Sequence, residues 1–295
     1  MSTIRVRAEA ERLAAVLPPL LVQADRVAAT VAQGVHGRRR VGQGETFWQF
    51  RRYQPGDPVR GIDWRQSAKS RHVFVRETEW EAAQSVWLWR DASPSMRFRS
   101  RRELPDKVDR AALLTLALAA LLVRGGEQIA LLGDGHWPSS GRPALNRIAI
   151  TLERGDGGDG TGLPAFEMLP RHGHVAWFGD FLAPLDQTRQ LIGQFAARGV
   201  SGHIVQVLDP AEAALPYRGR VRFEGLEGEA GTLIGRAEQA RDEYVERMTS
   251  HQAALAQLCR AAGWSFAVHH TDRSPEAALL RLYGALAHVP LKAEA

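Results

Sequence analysis

From residue 85 onward, short apolar runs alternate with longer helix-like stretches, and this alternation restricts the possible folds more than any other feature. The runs fall at 85–90, 127–133, 174–179, 202–208 and 264–269. Between them lie helical patterns at 106–124, 143–153, 185–198 and 236–262, with a last one at 275–287. Strands separated by helices make βαβ units, which close into a mostly parallel sheet flanked by helices. Residues 215–234, with "RVRFEG" and "GEAGTLI", interrupt the alternation and read as a small inserted hairpin.

The first third of the chain is different. Residues 7–33 are rich in Ala, Leu and Val and read as helix, broken at Pro18-Pro19. Residues 34–84 crowd together Gly, aromatics and Arg, with a turn at "QPGD" (54–57) and a strand-like "HVFVRETEW" (72–80). The expected division is a helical and basic segment over 1–81 and an α/β domain over 82–295.

Composition narrows the setting. A hydrophobic share of 44% in 295 residues supplies a sizeable core. Cys259 is the only cysteine, which fits a reducing compartment. The longest apolar run, "AALLTLALAALLV" at 111–123, is too short for a bilayer, which takes about 20 residues. The N-terminus lacks a clear small-residue cleavage site. The expectation is a soluble, cytoplasmic protein. Its pI of about 9.8 reflects arginines gathered between Arg38 and Arg76. Such a segment can meet an acidic protein, anionic lipid or nucleic acid, or be a self-paired solvated face.

"RDASPSM" (90–96) follows the first apolar run. Ligands of open α/β sheets sit beyond the carboxyl ends of the strands, so Asp91, Ser93 and Ser95 should face a crevice. A carboxylate and two hydroxyls are hard oxygen donors that suit Mg²⁺. Asp180 ends another run, and Thr161 stands in the glycine-rich "RGDGGDGTG" (154–162). Together Asp91, Ser93, Ser95, Thr161 and Asp180 would form one oxygen site for Mg²⁺, or for Mn²⁺ or Ca²⁺. The set resembles the metal-ion-dependent adhesion site of von Willebrand factor A-type domains.

A second stretch, "RRYQPGDPVRGIDWRQSAKSRHVFVRETE" (51–79), resembles the signature of the domain-of-unknown-function 58 family. The matching positions are Arg51 or Arg52, Tyr53, Pro55, Gly56, Asp57, Arg60, Ile62, Asp63 and Trp64. "QVLDPAEAALPYRG" (206–219) is similar to a later segment of that family. The resemblance implies a von Willebrand A-like, Rossmann-type fold, and a protein often encoded beside a MoxR-type AAA+ ATPase. Arg90 and Gly179 depart from the family pattern, which commonly has an apolar residue and Ser there. In the basic segment, Asp57 and Asp63 can pair with Arg60 and its neighbours, and Trp64 can anchor the segment to the core. Alternatively Arg52, Tyr53, Asp57, Arg60, Asp63 and Trp64 form a docking surface.

No Gly-x-Ser-x-Gly elbow is present, and Ser93 and Ser95 have no His partner in sequence. His172-x-His174 and His269-His270 lack ligand spacing. The scattered tryptophans suit core and interface better than a base-stacking platform. The leading expectation is therefore a metal-dependent protein-interaction module, not an enzyme, in which a partner Asp or Glu completes the ion's shell and a MoxR-type ATPase is the partner. The alternatives are a hydrolase using the same cation, and nucleic-acid binding through 38–76.

Overall fold

The computed structural model describes residues 19–34, 46–54, 62–79, 84–155, 162–226 and 231–287. They form two compact units, one from the parts within 1–34 and 84–295, the other within 35–83. The division differs from the boundary read at residue 81, because the first described helix packs with the α/β body.

That body is built on five parallel strands: β3 (Ser85–Arg90), β4 (Gln128–Leu131), β5 (His174–Gly179), β6 (Ser201–Leu208) and β9 (Ser265–His270). Their spatial order is β4-β3-β5-β6-β9. The chain winds outward from β3 in one direction and then, from β5, in the other. Strands such as "SVWLWR" and "HVAWFG" are apolar without alternation because helices cover both faces.

Helix α3 (Lys107–Arg124) lies against β3, β4, β5 and β6, with α4 (Gly141–Glu153) beside it. On the opposite face α5 (Leu185–Ala197) and α7 (Ala237–Ala261) close a core of Trp87, Trp177, Phe195, Leu255 and Trp264. Here Gly202 is obligatory: a Cβ would sit 2.1 Å from the Trp264 ring, whose Nε1 donates to the Val200 carbonyl at 3.0 Å. α8 (Pro275–Ala287) returns to pack on β9 and α3.

Helix α3 is apolar almost all round, and a third layer accounts for this. α1 (Pro19–Gly34) packs on α3, α4 and α8. Its stripe Leu21, Ala24, Ala28 and Val31 is buried, at the three- and four-residue spacing of one helix face. α3 is thus sandwiched between sheet and helix, and the apolar run 111–123 is a core helix as expected. Among the described residues no helix is long and apolar enough to cross a membrane.

After β6 comes a short helix α6 (Pro210–Ala214), then the hairpin β7 (Val221–Phe223) with β8 (Thr232–Ile234), inside the expected 215–234 insertion.

In the second unit β1 (Thr46–Arg52) pairs antiparallel with β2 (Phe74–Glu79), aligning Arg52 with Phe74. Between them lies one turn of helix, α2 (Trp64–Ser67). Asp63 is its N-cap, accepting from the Gln66 N–H at 2.8 Å. The Ser67 hydroxyl donates to the Asp63 carbonyl and accepts from the Phe74 N–H, tying helix to strand.

Candidate cation and interaction site

The sheet reverses its winding between β3 and β5, and ligands of open α/β sheets bind at that switch point. Asp91 and Asp180 follow those two strands. The Asp91 N–H still donates to the Phe178 carbonyl at 2.8 Å, so the residue leaves the sheet in register with β5. Its Oδ1 accepts from the Ser93 N–H at 2.8 Å, an Asx turn that bends the loop back. The Ser93 and Ser95 hydroxyls are 3.0 Å apart, and Ser95 donates to Asp180 Oδ2 at 2.8 Å. Four of the five expected ligands, Asp91, Ser93, Ser95 and Asp180, therefore converge. Thr161 lies outside the described residues.

Asp180 is held by its backbone. Gln206 Nε2 donates to its carbonyl at 2.8 Å. The next residue, Phe181, is buried with a left-handed φ of 49°, and its carbonyl lies 2.7 Å from His251 Nε2. Gly179 lets Asp91 lie against the backbone: a Cβ there would stand 2.9 Å from the Asp91 Cβ. Arg90 does not open the strand end to water, since it is buried beside Asp91 and Asp109.

The sequence reading missed the cation that the chain itself brings. Lys107, the first residue of α3, is fully buried and places its ammonium 2.9 Å from Asp180 Oδ2 and 2.6 Å from Glu212 Oε1. Burial alone would lower its pKa, but Asp180 and Glu212 outweigh it and hold the ammonium above its ordinary value. Glu212 belongs to a capping box: its Oε2 accepts from the Asp209 N–H while Asp209 Oδ1 accepts from Ala211. "DPAE" after β6 signals that box, but nothing in the sequence joins it to Lys107.

Asp91 Oδ2 has no hydrogen-bond partner among the described residues, although Asp91 is wholly buried. Burial, with Asp180 adding to it, pushes this carboxyl up to about 6 against the Ser93 hydrogen bonds and Lys107. A Cβ on Gly162 would stand 3.9 Å from Asp91 Oδ2, so the 162 loop borders the same space. Lys107 offsets one of the three carboxylates Asp91, Asp180 and Glu212, and Arg90 beside Asp91 is matched by Asp109, so the group is left with two negative charges when Asp91 is ionised. An orphaned buried carboxylate oxygen, two hydroxyls and a double negative charge fit a divalent cation.

The signature residues are distributed differently. Arg52 ends β1, and the Tyr53 N–H donates to the Val73 carbonyl at 2.8 Å. Asp63 caps α2, while Asp57 and Arg60 lie outside the described residues. Trp64 is 64% exposed, so it is not the core anchor that the sequence suggested. α2 is a single turn with no buried residue, too short to press a ring into a core.

Of the candidate histidines, His174 and His269 are buried, as is His203, whereas His172 is exposed and His270 half-buried. His174 stacks on His203 with ring centroids 6.4 Å apart, and His203 Nδ1 is 2.7 Å from Ser265 Oγ. Burial lowers His203 and His269 to about 4, so both are neutral at pH 7.

Fold and site together define a doubly wound α/β protein whose carboxylate–hydroxyl cluster occupies the switch point. Residues 49–254 match the family described as Protein of unknown function DUF58, and the chain belongs to it. An uncharacterized protein of Mycobacterium bovis is 28% identical over 294 residues, covering 95% of this chain and 92% of its own. One from Mycobacterium avium is 31% identical over 111 residues, 38% of this chain and 64% of its own. Among solved structures, the conserved hypothetical protein BatB from Bacteroides thetaiotaomicron matches 70% of this chain and all of its own, at 13% identity and a TM-score of 0.41. An uncharacterized membrane spanning protein from Vibrio fischeri gives 11% identity and a TM-score of 0.20 over the same shares.

Proposed function

We propose that the protein is a von Willebrand A-like interaction module whose cation site, built from Asp91, Ser93, Ser95 and Asp180, engages a partner's carboxylate, and that the partner is a MoxR-type AAA+ ATPase. The observation that carries the cation reading is the buried Asp91 Oδ2 at the switch point, without a hydrogen-bond partner among the described residues and beside two hydroxyls. Asp91 would hold Mg²⁺ or a related ion through this oxygen, with Ser93 and Ser95 beside it. The ion would neutralise the carboxylates and leave a position for an incoming one. Lys107 keeps Asp180 Oδ2 engaged, so Asp180 contributes charge and a second oxygen that, among the described residues, only the Leu182 N–H approaches, at 3.4 Å.

Calorimetry tests the ion. Wild type should bind Mg²⁺ with one site, and Asp91→Ala should lose that binding while keeping the fold. Equal affinity in both proteins overturns the assignment. A pull-down of the ATPase with and without chelator tests the partner, and retention unchanged in EDTA counts against a cation-mediated contact.

One observation favours a second reading. A carboxyl raised to about 6 is poised for general-base work. Against it, the Asp180 Oδ2 that accepts from the Ser95 hydroxyl is paired with the Lys107 ammonium, which makes it a weaker base, and Lys107 itself is held protonated. Mg²⁺-dependent turnover of phosphoesters or peptides, lost in Asp180→Ala, would replace the interaction reading.

A further inference from the structure

The loop that leaves the candidate site runs from Arg97 to Glu103 and returns to Lys107. Arg97, Arg99, Arg101 and Arg102 are all exposed, and Glu103 is the one carboxylate in that stretch. Arg99 makes a loose, half-exposed pair with Asp106 at 3.4 Å. The loop is anchored rather than free, because the Ser100 N–H donates to Asp209 Oδ2 at 2.9 Å.

Asp209 also gathers the other side of the rim. After α6, Leu215 takes a left-handed φ of 42° and turns the chain into Pro216-Tyr217-Arg218-Gly219-Arg220. Arg241 fastens this turn, donating to the carbonyls of Leu215 at 2.9 Å and Tyr217 at 3.0 Å. Tyr217 lies within electrostatic reach of Asp209 and Glu212, which, after burial, raise its phenol. The Ser100 N–H contacts Asp209 and Tyr217 feels the same carboxylate, and Arg218 and Arg220, just beyond Tyr217, are exposed.

Exposed apolar side chains occur near these segments, and the hairpin adjoins the turn through Phe223, whose ring centroid lies 5.6 Å from that of Tyr217. Leu182, two residues beyond Asp180, is exposed, and the hairpin segment exposes Leu226 and Leu233. The aromatic residues of these segments, Phe98, Tyr217 and Phe223, are only partly exposed, which leaves no open ring on which a base could stack. Guanidinium groups recognise carboxylates through paired N–H donors, and exposed leucines can accept apolar side chains of a partner.

We infer that the rim formed by Arg97, Arg99, Arg101, Arg102, Arg218 and Arg220 binds an acidic protein segment that also carries leucine-like side chains, aligning one of its carboxylates with the Asp91–Asp180 cluster. The inference rests on the cation reading of that cluster for the last contact, and on the arginines alone for the rest.

The probe is a fluorescein-labelled synthetic peptide alternating Glu and Leu, with a Gln/Leu peptide as neutral control and a single-stranded DNA oligonucleotide of equal charge. Anisotropy is read on the full chain, in Mg²⁺ and in EDTA. The acidic peptide should bind and the neutral one should not. Arg99→Gln/Arg101→Gln/Arg102→Gln should weaken acidic-peptide binding about tenfold while leaving Mg²⁺ affinity within about twofold of wild type. No binding of the acidic peptide, undiminished binding in the triple variant, or tighter binding of the oligonucleotide overturns the inference. Peptide binding that is lost in the triple variant but equal in EDTA and in Asp91→Ala supports the arginine rim and refutes the cation reading, so the two fail separately.

Discussion

Lys107→Met is the sharpest test of how the site is built. The substitution keeps the length and apolar stem of the side chain and removes the ammonium. It leaves Asp180 Oδ2 and Glu212 Oε1, each within 2.9 Å of that ammonium, as buried carboxylates facing one another. Removing one partner from a buried ion pair costs about 3–5 kcal/mol, because the other is left uncompensated. In a body of this size each kcal/mol moves the melting temperature by about 2–4 °C, so the expected drop is roughly 6–20 °C in EDTA. The direction under Mg²⁺ is the diagnostic part. Without the lysine the cluster carries one more negative charge, and a divalent ion should bind it more tightly and restore more of the lost stability than it adds to wild type. Thermal melts of both proteins by circular dichroism, in EDTA and in excess Mg²⁺, read the difference. Equal melting temperatures in EDTA would refute the buried triad, and an equal Mg²⁺ increment in both proteins would refute its electrostatic link to the cation.

Asp91 makes a pH-dependent prediction. Its folded pKa of about 6 lies above the ordinary value of 3.8, so its contribution is fully favourable below that ordinary value and is lost as pH rises through 6. Asp91→Asn should therefore match wild type near pH 4 and exceed it by up to roughly 3 kcal/mol above pH 6 in EDTA, with excess Mg²⁺ narrowing the gap. Urea melts across that range check it, and a gap that grows toward low pH contradicts it. Gly202→Ala would drive a methyl group into the Trp264 ring and should cost about 3 kcal/mol, read as an earlier urea midpoint with an unchanged slope. Trp64→Ala should change stability by less than about 0.5 kcal/mol because the ring is exposed. A large loss would show that Trp64 is buried in solution.

Much of the α/β body was legible because its strands are buried on both faces. A run such as "VAWFG" is apolar without alternation, and Asp180 at its end marks a strand tip. The same logic brought Asp91, Ser93 and Ser95 to one place. Lys107 and Glu212 were not legible, because a lysine opening a helix and a glutamate in a capping box are both ordinary solvent-facing residues until tertiary structure buries them. The seat of α1 was hidden for a related reason: an apolar stripe shows that a helix is covered on one side, not by what. Trp64 misled because aromatic character was taken as burial, whereas its one-turn helix offers no lever to bury it.

The cover that α1 lays over α3 has a consequence for how the chain comes off the ribosome. α3 is apolar on the sheet side and on the outer side alike, so before it is covered it is the segment most prone to join another chain. α1 precedes it by some seventy residues and is already out of the tunnel when α3 emerges. Synthesis from the N-terminus therefore delivers the protecting helix ahead of the helix that needs it, and loop closure over that separation costs little more than over half of it.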